Sequence, residues 1–241
     1  MKIELYPEFE EVFENDDLKG VFYPLCKVSE INSSMNSPLF FVSSNGIWVN
    51  ENIKNEYNQA SFTCFEMNNG KYSFKGDLNV YLGYEQAPKI IENLEADFKQ
   101  NGERYLAQKI KTESYIQNIL ENYNLDFGEL DAKYFLQTFY QFSINKLIYQ
   151  KTGNFGAFNQ IIYDWDQPDE SPIIYEIKND NTTGYADIEI NKEYFFPKSI
   201  EIEKYEKVGF VIGHEFFTDG NDTYLIYDKE NHRAICINHY S

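Results

Sequence analysis

Ile90-Ile91-Glu92-Asn93-Leu94-Glu95-Ala96-Asp97-Phe98 decides the fold class of this chain. Ile90, Leu94 and Phe98 recur at four-residue spacing, which sets them on one side of an α-helix. Asn101-Gly102 weakens or breaks the pattern, and Leu106, Ile110, Ile116, Ile119, Leu120 and Tyr123 carry it on. A second helix is expected from about Leu130 to Gln150, with Phe135, Phe139, Phe142 and Lys146 near one line. Gly153, free to take a left-handed conformation, is its expected stop. The two are amphipathic, with aromatic inner faces, and read as packing elements.

Strand signals flank this block on both sides. Before it, Pro38–Val42 and Ile47–Val49 surround Asn45-Gly46, and Ser61–Met67 and Lys71–Lys75 surround Asn68-Asn69-Gly70. Both turn sequences accept the positive φ angles of a tight hairpin. Asp77–Tyr84 is expected to add a strand, and Pro7–Leu18 to form a short acidic helix with Phe9 and Phe13 on one side. After the block, strands are expected at Ile161–Trp165, Pro172–Ile177, Tyr185–Ile190, Ile200–Ile202, Val208–Ile212, Tyr224–Tyr227 and Ala234–His239. The last pair encloses the polar run Asp228–His232 as a terminal hairpin.

Segregated strands, helices and strands predict an α+β fold: an antiparallel meander, a central helix pair and a C-terminal antiparallel sheet. No long Gly/Ser or Pro linker separates the sub-regions 1–84, 85–153 and 154–241, so one domain over residues 1–241 is expected.

Charge constrains function by exclusion. Asp and Glu number 39 against 21 Lys and Arg, a formal net of −18, with arginine only at 104 and 233. Such a field repels phosphate backbones and anionic membranes and attracts basic partners, so no nucleic-acid or membrane partner is expected. No apolar run approaches the ~20 residues that span a bilayer, and the N-terminus lacks the features of a signal peptide. Cys26, Cys64 and Cys236 are odd in number and far apart, which reads as three small buried hydrophobes in a cytoplasmic protein. The excess of Asn, Ile, Tyr, Phe and Lys follows the codon bias of an AT-rich genome, so the aromatic content reads first as core.

Three acidic groupings are candidates for chemistry. His214-Glu215-Phe216-Phe217-Thr218-Asp219-Gly220-Asn221-Asp222 gathers an imidazole and three carboxylates between two expected strands. His214, Glu215, Asp219 and Asp222, with His239 from the last strand, are the candidate ligands of a divalent metal, and no other cofactor is expected. Ordinary turn chemistry at Asp219-Gly220-Asn221-Asp222 is the competing explanation. Asp164, Asp166, Asp169 and Glu170 surround Trp165 and Pro168 as a second cluster. Glu8, Glu10, Glu11, Glu14, Asp16 and Asp17 form the densest acidic run, placed beside Phe9 and Phe13. Asn179–Gly184 imitates the start of a calcium loop, but Ile190 stands where its bidentate glutamate belongs. No nucleophile elbow, P-loop or dinucleotide fingerprint occurs.

The expected function is therefore an acidic binding protein that captures a basic protein through its carboxylates. In physique it is similar to bacterial immunity proteins, which neutralise toxins, although no family motif carries that likeness. A metal-assisted hydrolase built on the His214–Asp222 segment is the alternative.

Overall fold

The computed structural model describes residues 1–31, 37–166, 172–177 and 204–239. Its strands form two antiparallel sheets. The first is a meander of β1 (Lys2–Leu5), β2 (Tyr23–Ser29) and β3 (Leu39–Ser43), in that order. The second contains β4 (Asn58–Gln59), β5 (Phe62–Asn68), β6 (Lys71–Phe74), β7 (Glu206–Val211), β8 (Asp222–Asp228) and β9 (Arg233–His239). Its order is β4-β5-β9-β8-β7, with β6 also on β5. Phe65 of β5 faces Ala234 of β9, so N-terminal and C-terminal strands share one sheet.

Period-two alternation sorts the larger sheet between two cores. Phe65, Leu225, Tyr227, Ala234 and Cys236 enter the main core, while Phe62, Cys64, Tyr224, Ile226, Ile235 and Ile237 form a smaller one on the other face. That two-sided burial explains why β8 and β9 are apolar almost throughout. β3 is buried along its whole length and lies against β8 and β9, with Tyr72 bonded to both backbone groups of Phe40 at 2.8 Å. Burying side chains such as Leu39, Phe41 and Val42 contributes about 1.5–3 kcal/mol each.

The helices are α1 (Phe9–Val12), α2 (Ala87–Ala107), α3 (Thr112–Asn122), α4 (Ala132–Thr152) and α5 (Phe158–Tyr163). α2 and α3 both pack on α4. Asp131 caps α4 by accepting from the N–H groups of Lys133 and Tyr134, and Gly153 ends it at φ 74°. α4 is buried nearly all round, and a polar stripe along it is used for tertiary bonds. Tyr134 and Thr138 hold the Asn45 side chain, Gln141 accepts from the Thr218 N–H, and Asn145 donates to the Glu215 carbonyl.

Several expectations need correcting. The helical block does not break at Gly102, which is buried inside α2 under Phe98. It breaks after Ala107, where Lys109 takes φ 49° and the amides of Lys109 and Ile110 bond back to Leu106 and Tyr105. Asn45-Gly46 closes no hairpin, because β3 pairs with β2 and the turn packs on Thr138. Val49 bridges to Tyr81 instead. Asp77–Tyr84 contains a 3-10 turn at Leu78–Val80, capped by Asp77, in place of a strand. Pro7–Leu18 is a single helical turn and a 3-10 turn, since Phe13 leaves the helix to bridge Tyr72 and pack on Phe22 and Phe65.

Ile161–Trp165 is not a strand: Ile161–Tyr163 belong to α5, with Phe158 and Ile162 one turn apart and buried. A short apolar run fits either period, and tertiary packing selected the helix. The expected strands Tyr185–Ile190 and Ile200–Ile202 lie outside the described residues. Pro172–Ile177 contributes one bridge, Tyr175 to Phe210. The hairpins at Asn69-Gly70 (φ 51° and 80°) and at Asp228–His232 form as read from the sequence.

Candidate functional site

The His214–Asp222 segment is a docking loop. Gly213 donates its N–H to the Asp222 carboxylate at 2.9 Å, and its carbonyl accepts from Phe216 and Phe217. Both phenylalanines are fully buried against Tyr6, Tyr23, Phe142 and Phe155. Asp219 accepts from Gln137 of α4 at 2.9 Å. Glu215 folds inward against Gly156, and burial raises its carboxyl above the usual range while neighbouring His214 pulls it back. His214 points out, with its Nε2 3.7 Å from Glu215, and His239 lies on β9 opposite Asp222. Asp219 and Asp222 are thus both committed to bonds that shape the loop. Among the described residues, no group of three or more His, Cys, Asp and Glu side chains converges as metal ligands.

The N-terminal acidic run is largely occupied by lysines. Lys146 bonds both Glu8 oxygens at 2.9 Å, and Lys19 bonds Glu10 at 2.6 Å with Asp16 at 3.8 Å. Lys27 bonds Glu11, and Asn68 donates to Glu14 at 2.5 Å. Asp17 stays at the exposed surface. Exposed ion pairs of this kind contribute only ~0.2–1 kcal/mol each, so they exchange partners readily. In the second cluster Lys109 pairs with Asp164, Asp166 is exposed, and Asp169 and Glu170 lie outside the described residues.

The structure brings together a surface that the acidic runs do not reveal. Trp48 is 55 % exposed although its position is fixed. Its ring lies 4.9 Å from that of Tyr134, its Nε1 donates to Asp131 Oδ2 at 3.4 Å, and its carbonyl accepts from Leu82. Through Leu82 the tryptophan adjoins the turn carrying Glu85, and Gly83 is packed on Leu130. A polar cleft of about 300 Å³ runs between that turn and Gly128-Glu129. Glu85, Asp126, Glu129 and Asp131 are all exposed in and around these segments, and Lys133 is the one basic residue between Glu121 and Gln137. The other tryptophan, Trp165, is 58 % exposed, but its neighbour Tyr163 has Lys111 5.7 Å from its ring centre, and Asp164 is held by Lys109.

Cys26, Cys64 and Cys236 are buried. Burial pushes all three thiols up, Cys64 and Cys236 to about 12, which leaves almost no thiolate near neutrality. Iodoacetamide at mildly alkaline pH is therefore expected to leave the native protein unmodified and to add three adducts after denaturation. Rapid native labelling of any one cysteine, read by intact mass, would refute this packing.

No helix among the described residues is long and apolar enough to cross a membrane. No family model, curated protein or solved structure matches this chain.

Proposed function

We propose that the protein is a binding protein for a basic protein partner, and that Trp48 is the anchor of its contact surface. The observation that carries the reading is an exposed tryptophan held against Tyr134 and Asp131 and bordered by carboxylates. A guanidinium gains from stacking on an indole face and from bonding carboxylates at once, which an ammonium matches less well. A pre-positioned aromatic also loses little conformational freedom on binding. The net charge of −18 adds steering that speeds encounter with a cation and is screened by salt. The run Glu8–Asp17 and the cluster at Asp164, Asp166 and Asp169 would extend this field, their lysine pairs opening toward a more basic surface.

Neutralisation of a basic toxin in the cytoplasm, as an immunity-type inhibitor, is the form of this function that we favour. Nucleic acid is not a partner in this reading, because phosphates would meet carboxylates where they require lysine and arginine.

A nona-arginine peptide tests the chemistry. In a Trp165→Phe background, Trp48 alone reports binding through its fluorescence. The expected result is a saturable change whose affinity falls steeply with salt and drops roughly 30-fold, about 2 kcal/mol, in Trp48→Ala measured by calorimetry. Binding that is equally strong in Trp48→Ala would remove the anchor and leave only diffuse charge attraction.

A further inference from the structure

A second concavity lies away from Trp48, between α2, the C-terminal half of α4 and the chain around Pro7–Phe9 and Lys19–Pro24. Its volume is about 530 Å³, within the range of small-molecule sites. Phe22, Tyr23, Phe98, Phe139 and Phe142 supply aromatic lining. Tyr23 is buried, and its hydroxyl has no hydrogen-bond partner among the described residues. Tyr6, Tyr115 and a few other buried groups share that condition, but Tyr23 has it in the lining of a cavity.

The charges around the groove are mostly cancelled in pairs: Glu8 with Lys146, Lys19 with Glu10, and Glu103 with Lys151. Two lining groups on α2, one turn apart, close no ion pair within 4 Å among the described residues: Glu95 and Lys99. Lys99 is exposed to water. Glu95 is exposed too, although partial burial of its carboxyl raises it above the usual range, with Glu10 and Glu8 adding to the effect and Lys19 and Lys146 opposing it. A carboxylate beside an aromatic-lined groove gains from an incoming cation by charge, and the ring faces add to it.

We propose that this groove binds a small organic amine, its ammonium held by Glu95 and its apolar body lying against Phe98, Phe139 and Phe142. An anionic ligand fits less well, because Lys19 and Lys146 are already bonded to Glu10 and Glu8, which leaves only the exposed Lys99 for it, next to Glu95. The amine N–H groups also donate to the Glu95 oxygens, which strengthens the charge contact.

The probes are 2-phenylethylamine, 2-phenylethanol and 3-phenylpropionate, equal in ring and similar in length, titrated by calorimetry and by chemical-shift mapping on the intact chain. The amine is expected to bind at least ten-fold tighter than the alcohol, with shifts at Phe98, Phe139 and Phe142. Acidification that protonates Glu95 should erase the preference. Glu95→Gln should bring the amine down to the alcohol while thermal stability and nona-arginine binding at Trp48 stay unchanged. Ser143→Trp, which fills the groove without touching its charge, should abolish binding of both. Equal binding of amine and alcohol, tighter binding of the propionate, or an amine affinity indifferent to Glu95→Gln would each overturn the proposal. Since the groove and Trp48 are read out by different probes, either site can fail without the other.

Discussion

Replacing Asp97 by alanine is expected to lower the stability of the fold by about 4 kcal/mol, the largest effect of any single side-chain truncation considered for this chain. Asp97 is only 5 % exposed, yet it is a carboxylate without a cationic partner in bonding range among the described residues. Three donors satisfy it instead: the Asn101 amide at 2.8 Å, the Tyr105 hydroxyl at 2.7 Å and the Tyr123 hydroxyl at 2.9 Å. Bonds to an ionised acceptor are the strong ones, roughly twice a neutral pair. Alanine leaves the buried Tyr105 hydroxyl without its acceptor, at about 1–3 kcal/mol, and removes the acceptor of the half-buried Tyr123 hydroxyl and Asn101 amide as well.

The network clamps the C-terminal half of α2 to Tyr123 at the end of α3, so its loss loosens the helical layer as a unit. Thermal denaturation should shift by roughly 10 °C, at 2–4 °C per kcal/mol for a chain of this size. Asp97→Asn, which keeps one acceptor and the volume, should lose about half as much. An independent readout is alkaline titration. The bond to Asp97 is the first cause holding Tyr123 above its ordinary 10.0. A raised folded value means that this contribution is complete below pH 10 and disappears as pH rises through the folded value. In Asp97→Ala the Tyr123 transition should move back toward 10.0. An unchanged melting temperature together with unchanged tyrosine titration would refute the clamp.

Gly213→Ala is expected to be nearly as damaging, at about 3 kcal/mol, although the change adds a single methyl. A Cβ at this position would stand 2.1 Å from the Asn221 carbonyl oxygen and 2.4 Å from the Gly220 carbonyl carbon. These are backbone atoms, so no rotamer change relieves the clash. The two ends of the docking loop would have to separate, which breaks the bond to Asp222 and withdraws Phe216 and Phe217 from the core. His214→Ala, one residue away on an exposed side chain, should change stability by less than about 0.5 kcal/mol. The contrast separates a structural loop from a metal centre. If His214→Ala were the more destabilising of the two, or if stability rose on adding zinc or calcium, the loop would have to be read as a ligand set.

Elements whose signal is local were legible in the sequence. The four-residue recurrence through Ile90, Leu94 and Phe98, the stop at Gly153 and the hairpin at Asn69-Gly70 each depend on a few neighbouring residues. Asn45-Gly46 carries the same turn chemistry but was outcompeted by α4, whose Thr138 and Tyr134 claim the asparagine side chain. Asp77–Tyr84 has strand-like composition, yet Asp77 bonds its own backbone two residues on and starts a 3-10 turn.

The site was less legible because acidic runs mark charge without marking what is already paired. Glu8, Glu10 and Glu11 find lysines up to 138 positions away. Trp48 stands alone in a loop, and its support comes from Asp131 and Tyr134 more than 80 positions on. The rarity of tryptophan, two in the chain, is the one local signal that singles it out.

The most direct test of the central reading is native mass spectrometry of the chain isolated at low salt from its own host, beside Trp48→Ala isolated identically. The account predicts a stoichiometric basic protein on the parent chain, released by added salt and missing from Trp48→Ala. A bare chain in both preparations, or the same partner retained in full by Trp48→Ala, would contradict it.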